Sequence, residues 1–458
     1  MGNRALPRRA GLLFDYEWDA KAHDALAAQG GAWRFDRAGF DLFSFPDNAR
    51  LIGFDLERFA ARQAARARQR GWAGVLSHHE QFGALAAALV AEAAGLPGPR
   101  PQAILACQHK LHARRVLARV APEANVDFAP LEVDYGGAIP EGLAYPAYVK
   151  PVKAAFSVLA ARVDSRAALQ AHTRFGWREL WVIRRLVEPF ERVARRRLPE
   201  AGSAHRLMLE APVQAPQYNL DGYVHRGRVH VLGVVDAVMY PGTQAFMRWE
   251  LPSRLDPRVQ ARAADVAQRF LQAVGFDDGM FNMEFFHDPA TDKLSVIEFN
   301  PRLASQFGDL YRRVLGVDPH AMALALATGD DPAAVPRVAP QAGAAASFVY
   351  RAFTADAVPP MPTWAQRRRL AAEFADSLLL TFPKRGHALA RDFKWTGSHR
   401  YGILHLGGRD WGHLQRRCLE ASAVLGWPAP LHHDLERPVP HEPRQPLGLP
   451  VWAGAAGS

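Results

Sequence analysis

Residues 280–308, MFNMEFFHDPATDKLSVIEFNPRLASQFG, govern the reading of the whole chain. Two β-prone runs, Met280–Phe286 and Leu294–Phe299, flank His287–Lys293, a connector rich in Asp, Pro and Thr, and that combination reads as an antiparallel hairpin. If Glu284 lies opposite Glu298, the next pair on the same face is Phe286 with Val296, and about five residues remain for the loop, within the common hairpin range. Alternation then places Asn300 on the face of Glu298, while Met283, Phe285, Ile297 and Phe299 point the other way. Two carboxylates and an amide oxygen converging on one patch are hard donors of the kind that Mg2+ takes. Paired carboxylates on a half-buried sheet repel, so a divalent cation or a cationic side chain must balance them, and Arg302 follows immediately. The plain alternative, that Glu284 and Glu298 are ordinary solvent-facing strand residues, sits poorly with so abrupt a polar cluster inside apolar strands.

Outward from this hairpin, the bulk properties set bounds. A chain of 458 residues exceeds what one core usually fills and implies two to four packed units. With 49% hydrophobic and 22% charged residues it is neither a disordered nor a fibrous sequence. The net charge of +10 comes from many Arg and by itself separates no class of partner. Only Cys107 and Cys418 occur, which excludes a disulfide framework or a Cys-based zinc site and suits a reducing compartment. Met1–Ala10 carries Arg without a secretory apolar core, and Glu92 and Gly95 interrupt the best apolar run short of the ~20 residues a membrane span needs. A cytoplasmic protein without membrane contact is expected.

From Leu12 to about Ala106, short apolar segments such as Gly11–Asp15 and Gly74–Ser77 alternate with helical stretches, the rhythm of βαβ units around a parallel sheet. Leu96–Pro101 punctuates, and Gln108–Val120 reads as an amphipathic helix with Leu111, Val116 and Leu117 on one side, so a boundary is placed near residue 105. Pro146–Pro151, Arg206–Pro212, Arg228–Val235, Met280–Phe286 and Leu294–Phe299 follow as strands of one antiparallel sheet with inserted helices. The expected organisation is an α/β domain at 1–106, an α+β domain at 107–330, an accessory strand-and-helix domain at 345–427, and a Pro-rich, loosely held tail at 428–458.

Glu298-Phe299-Asn300-Pro301-Arg302 resembles the Glu-x-Asn-Pro-Arg signature of the ATP-grasp ligases, and Glu284 stands where that superfamily has its first metal-binding acid. The resemblance implies that Glu284, Glu298 and Asn300 hold one or two Mg2+, with Mn2+ as a substitute, bridging ATP phosphates. It also implies that Arg302 stabilises the acyl phosphate and the tetrahedral species that follows. Lys150 in Tyr148–Pro151 looks like the strand lysine that approaches the α- and β-phosphates, and Lys110 like the earlier lysine that opens a helix. Ser157 matches the serine of the phosphate loop, although Val152–Val158 lacks the glycines usual there, a departure that bears on phosphate binding because Ala does not adopt glycyl geometry. Leu207–Val213 resembles the strand and hinge that meet adenine, with Glu210 and the backbone of Ala211 and Val213 at its edge. Gln217 occupies the place of a ribose-binding acid. These matches run in order from Cys107 to Gly329, and the flanking units fit the biotin-carboxylase-like branch.

The resemblance therefore implies an ATP-grasp fold with an N-terminal pre-ATP-grasp domain and a C-terminal accessory domain. It also implies a carboxylate-amine ligase that takes a small-molecule acid and an amine and releases ADP and phosphate; a homodimer is compatible with it. The alternative is a non-catalytic ATP-grasp-shaped sensor or scaffold. A Ser hydrolase, a Walker ATPase and a dinucleotide fold are disfavoured because their glycine motifs are missing. The Arg run 178–197, with Trp181 and Phe190, reads as a solvated helix face more than a nucleic-acid surface. Arg248 reads equally as a substrate-carboxylate ligand and as part of a loop packed around Trp249. His78, His79 and Glu80 lack a third ligand at metal spacing and read as structural or substrate-side.

Overall fold

In the computed structural model the described residues are 7–29, 31–41, 50–131, 137–153, 160–174 and 176–431. Ser157, with the rest of 154–159, and the tail beyond Leu431 lie outside them. The chain opens with β1 (Arg8–Leu13), β2 (Trp33–Ala38) and β3 (Trp72–Leu76), a parallel sheet in the order β2-β1-β3. Its second crossover helix, Leu56–Arg70, is begun by Asp55, whose side chain accepts from Arg58 N at 2.9 Å, and is ended by Gly71 in the left-handed region, φ 63°.

β4 (Phe128–Leu131), β5 (Ala147–Pro151), β6 (Ala161–Val163) and β7 (Leu207–Glu210) form a four-stranded antiparallel sheet in the order β4-β7-β5-β6, with its own small core around Leu131, Val149, Leu169 and Leu209. The remaining strands are β8 (Gln217–His225), β9 (Arg228–Met239), β10 (Phe246–Leu251), β11 (Gly279–Asp288), β12 (Lys293–Asn300), β13 (Ala344–Ala352), β14 (Leu378–Thr381) and β15 (His399–Gly408). They make one eight-stranded sheet, β12-β11-β8-β9-β10-β13-β15-β14. Helix Pro257–Ala273 covers one end of it, with Phe270 stacked on Phe299 at 3.8 Å between ring centres.

Three expectations change. The strands of 146–299 belong to two sheets, because β5 and β7 pair with β4 and β6 while β9, β11 and β12 lie in the larger sheet. The segment expected as an accessory domain continues that larger sheet, β13 pairing with β10 from Arg248↔Phe348 to Leu251↔Ala345. Residue 105 lies within a buried helix, Pro101–Gln108, which begins on a proline; His109 then breaks the chain before helix Lys110–Val120.

The hairpin itself has the expected anchor, Glu284↔Glu298, but the next pair is Phe285↔Val296. A bulge at Ile297 absorbs one residue, so Val296 enters the core, 1% exposed, in the place expected for Ile297. Glu298 and Asn300, past the bulge, keep the face that alternation assigns them.

Candidate functional site

Helix Lys110–Val120 brings Lys110 onto Glu298, and the two form an ion pair that is screened from solvent. Across the hairpin, Gln217 Nε2 donates to Glu284 Oε2 at 2.9 Å, and Asn300 Nδ2 reaches Glu284 Oε1 at 3.3 Å and Glu298 Oε1 at 3.4 Å. Asn300 also donates to Asn282 Oδ1 at 3.3 Å, and Asn282 in turn donates to Asp221 Oδ1 at 3.1 Å. A polar ladder thus crosses β12, β11 and β8 inside apolar strands. Gln217, expected at a ribose, is instead a prop for Glu284, because β8 is the direct neighbour of β11 and the register sets Gln217 opposite Phe286.

Burial, the negative charge of Glu298 and that of Glu80 push the Glu284 carboxyl up to about 8. Glu298 moves the other way, down to about 2, because Lys110 beside it outweighs the burial. The pair therefore shares a shortage of positive charge that falls on Glu284. Among the described residues no three His, Cys, Asp or Glu side chains close into a ready metal cage. Two facing carboxylates with a neighbouring amide suit an open Mg2+ site, where phosphate oxygens and water complete the shell.

The second cluster lies where helix Lys110–Val120 meets β5 and β7. Glu210 Oε1 is 2.6 Å from Arg114 Nε and 2.7 Å from Lys150 Nζ, all three groups buried. Arg114 also donates to the carbonyls of Val296 at 2.7 Å and Ile297 at 3.0 Å, the two carbonyls beside the bulge. The Glu210 carboxylate expected at the adenine edge is thus bonded to two cations. Arg114 thereby ties the two sheets together. Burial pushes Lys150 down to about 8, against the pull of Glu210. Ala211 N donates to Asp127 O at 2.8 Å, so that hinge amide is also spent within the protein, while Ala211–Val213 remain half-buried in the link from β7 to β8.

Arg302 leaves the hairpin toward the first domain, where its Nη2 meets Glu80 Oε2 at 2.9 Å. Glu80 belongs to the segment after β3, and its carbonyl accepts from Gln108 Nε2 at 2.8 Å and Lys153 Nζ at 3.3 Å. Burial pushes Lys153 down to about 7, with Glu80 opposing. A cavity of about 10 Å³ lined by Glu80, Gln108, Lys110, Lys153, Glu298 and Asn300 joins these groups. Glu80 is the residue that sequence reasoning undervalued: the adjacency of His78, His79 and Glu80, wrong for a metal, hid it, whereas its position at the C-terminal end of a parallel strand was the usable signal.

Arg248 lies on β10 with its Nε 2.6 Å from Glu250 Oε1, rather than in a loop. In helix Trp177–Arg197, Arg192 and Arg195 pair with Glu188 and Glu191 one turn earlier, each at 2.9 Å. Among the described residues no helix is long and apolar enough to cross a membrane.

No family model matches the sequence, and no curated protein matches it. Solved structures do. The L-amino acid ligase from Bacillus licheniformis is 14% identical, with TM-score 0.63 over 92% of this chain and 98% of its own. N5-carboxyaminoimidazole ribonucleotide synthetase from Thermus thermophilus is 18% identical, with TM-score 0.59 over 91% and 98%. The biotin carboxylase domain of the Hydrogenobacter thermophilus 2-oxoglutarate carboxylase, solved with MgADP and bicarbonate, is 15% identical, with TM-score 0.59 over 90% and 89%. Likeness at this level of identity concerns the fold.

Proposed function

We propose, starting from the ATP-grasp fold that this chain shares with those ligases, that it is an ATP-dependent carboxylate ligase. Its products would be ADP, phosphate and an acylated amine. The observation that carries the reading is the facing pair Glu284 and Glu298, bracketed by Lys110 on one side and by Arg302 with Glu80 on the other. A charge cluster of this density has no structural need, since buried acids and bases cost several kcal/mol per ion when desolvated. The group of cations suits a polyanionic substrate better than it suits an inert core.

In this reading ATP lies between the four-stranded sheet and the larger one, with adenine against the Ala211–Val213 hinge. Lys150 would exchange Glu210 for phosphate oxygens, and Lys110 would do the same with Glu298. Ser157, which lies outside the described residues, would bind a phosphate oxygen. Glu284, Glu298 and Asn300 would hold Mg2+, which would supply positive charge to offset that of the phosphate oxygens. Mn2+ would serve the same oxygens. Arg302, released from or sharing Glu80, would hold the substrate carboxylate for in-line attack on the γ-phosphorus and then stabilise the tetrahedral anion when the amine attacks. Phosphate leaves with the electron pair of the broken C–O bond, and the amine loses its proton.

ADP release from Mg-ATP across a panel of carboxylic acids and amino acids tests this, with Arg302→Ala as control. Release that requires a particular acid and disappears in the variant supports the ligase. ATP binding without any acid-dependent release, across an unbiased metabolite set, would favour the sensor reading.

A further inference from the structure

Lys153 is a buried cation of the site that the proposed chemistry leaves unused. Its side chain is 2% exposed, and it lines the small cavity together with Lys110, Glu80, Glu298 and Asn300. The backbone sets this up: Lys110 N donates to Val152 O at 3.0 Å, so the first turn of helix Lys110–Val120 is tied to the residue that precedes Lys153. The neighbouring cations are each answered by a carboxylate, Lys110 by Glu298 and Arg302 by Glu80. Lys153 Nζ instead donates to a neutral acceptor, Glu80 O at 3.3 Å, and lies 4.9 Å from the centre of the Phe190 ring; among the described residues it has no ion-pair partner. A carbonyl and a ring face offset only part of what it costs to bury an ammonium group.

Position decides what such a cation can meet. Lys150, three residues earlier, is 2.7 Å from Glu210 and belongs to the cluster that Glu210 forms with Arg114. Lys153 lies against Glu80, whose carboxylate holds Arg302 Nη2 at 2.9 Å. Glu80 thus carries Lys153 on its carbonyl and Arg302 on its carboxylate, while Glu298 and Asn300 line the same cavity. In the proposed reaction the carboxylate held by Arg302 attacks the γ-phosphorus, so a cation beside Glu80 faces the group in transfer, whereas Lys150 serves the α- and β-phosphates. The sequence agrees with this division. Residues 152–158 contain no glycine, and where glycine-rich loops cradle phosphate with several partial charges of backbone amides, a lysine supplies one full charge.

We propose that Lys153 binds the γ-phosphoryl group of ATP and stays with it into the acyl phosphate, in the role that glycine amides fill in other phosphate loops. This rests on the ligase reading above. In the step, one oxygen of the substrate carboxylate forms a bond to the γ-phosphorus as the bond from that phosphorus to the β,γ-bridging oxygen breaks. The electron pair of the broken bond leaves with ADP, and the Lys153 ammonium keeps its proton throughout. Lysine suits the task because its ammonium is a compact charge with three donors that can turn as the phosphoryl oxygens move.

The test is calorimetric binding of Mg-ADP and of Mg-bound β,γ-imido-ATP, which carries the γ-phosphoryl group without transferring it, to the full chain and to two variants. Lys153→Met should raise the Kd for the imido analogue by about tenfold or more and leave that for Mg-ADP near the wild-type value. Lys153→Gln, whose amide can still donate to the Glu80 carbonyl, should show the same selective loss, which separates the charge from that bond; it carries the test alone if the methionine variant does not fold. Wild-type affinity for the imido analogue in Lys153→Gln, or an equal loss for Mg-ADP in either variant, overturns the assignment. The measurements need no turnover. Mg-ADP and the imido analogue bound alike by wild type and variants would remove the role of Lys153 alone, whereas a wild type that binds neither nucleotide would remove the ligase reading with it.

Discussion

Glu298, half-buried, and Arg114, buried, show how differently two charged residues of one region work. Glu298 sits where a cation and phosphate oxygens would meet, so Glu298→Gln should lower Mg-dependent ADP release by about 100-fold or more while the far-ultraviolet circular dichroism and the melting curve stay near wild type. Undiminished release would remove it from the metal site. Arg114 touches no expected substrate atom but bonds Glu210 and two backbone carbonyls in the interior. Arg114→Met should therefore cost about 3–5 kcal/mol of stability, read as a lower urea midpoint, since it strands buried acceptors. The two roles were partly legible in the residues alone. Glu284, Glu298, Asn300 and Arg302 lie within one hairpin, and period-2 alternation is enough to gather them. Lys110 and Glu298 are 188 positions apart, and Arg302 and Glu80 are 222 apart, so no local pattern reports those pairs.

Elements add constraints that a single residue does not carry. The bulge at Ile297 keeps both Val296 in the core and Glu298 on the site face, which a regular ladder cannot do from the Phe286–Val296 pairing. Deleting Ile297 should thus reverse the faces of the residues before or after it and abolish both soluble expression and ADP release; a soluble, active deletion would show the bulge to be dispensable. β3 meets helix Pro319–Ala327 at Gly74, where a Cβ would lie 2.2 Å from the Ala327 carbonyl oxygen. Backbone cannot give way as a side chain can, so Gly74→Ala should destabilise by roughly 1–3 kcal/mol, visible as a Tm several degrees lower. Hydrophobic alternation locates such strands well but says nothing about which backbone will press against them, and that is why Gly74 was read only as part of an apolar segment.

At the scale of the whole molecule, the segment that holds the parallel sheet meets helix Pro319–Ala327 at buried imidazoles, His23 and His78 each lying 5.7 Å from His320 between ring centres. His23, His78 and His79 are pushed down to about 3, about 4 and about 3, in each case chiefly by burial. A folded-state pKa below the ordinary 6.5 means that the unfolded chain binds more protons on acidification, so these imidazoles lower stability as pH drops below about 6.5, by roughly 2 kcal/mol each at about pH 5. The carboxyls of Asp15, Asp221 and Glu284, pushed up to about 6, about 7 and about 8 chiefly by burial, act in the opposite sense over the same range. Between about pH 7 and pH 5, His23→Leu should therefore gain roughly 2 kcal/mol of stability relative to the wild type, and an unchanged difference between the two proteins would contradict the assignment. The C-terminal strands carry a second whole-molecule consequence. Because β13 pairs with β10, a chain stopped before Ala344 exposes a long sheet edge and should aggregate instead of surviving as a smaller ligase; sedimentation of the soluble fraction decides this.

By itself the sequence determined the local matters: the hairpin, its carboxylate face, the parallel start of the chain, the helix after Leu96–Pro101, and through the order of short signatures the fold to expect. These follow from alternation, turn chemistry and capping, each of which acts over a few residues. Only the tertiary structure decided that the strands of 146–299 divide between two sheets, that 344–408 extends the larger one, that Glu210 answers to Arg114 and Lys150, and that Glu80 faces Arg302. Those outcomes depend on which apolar faces bury one another and on how desolvated charges find partners across the chain, and neither is encoded within reach of any one segment.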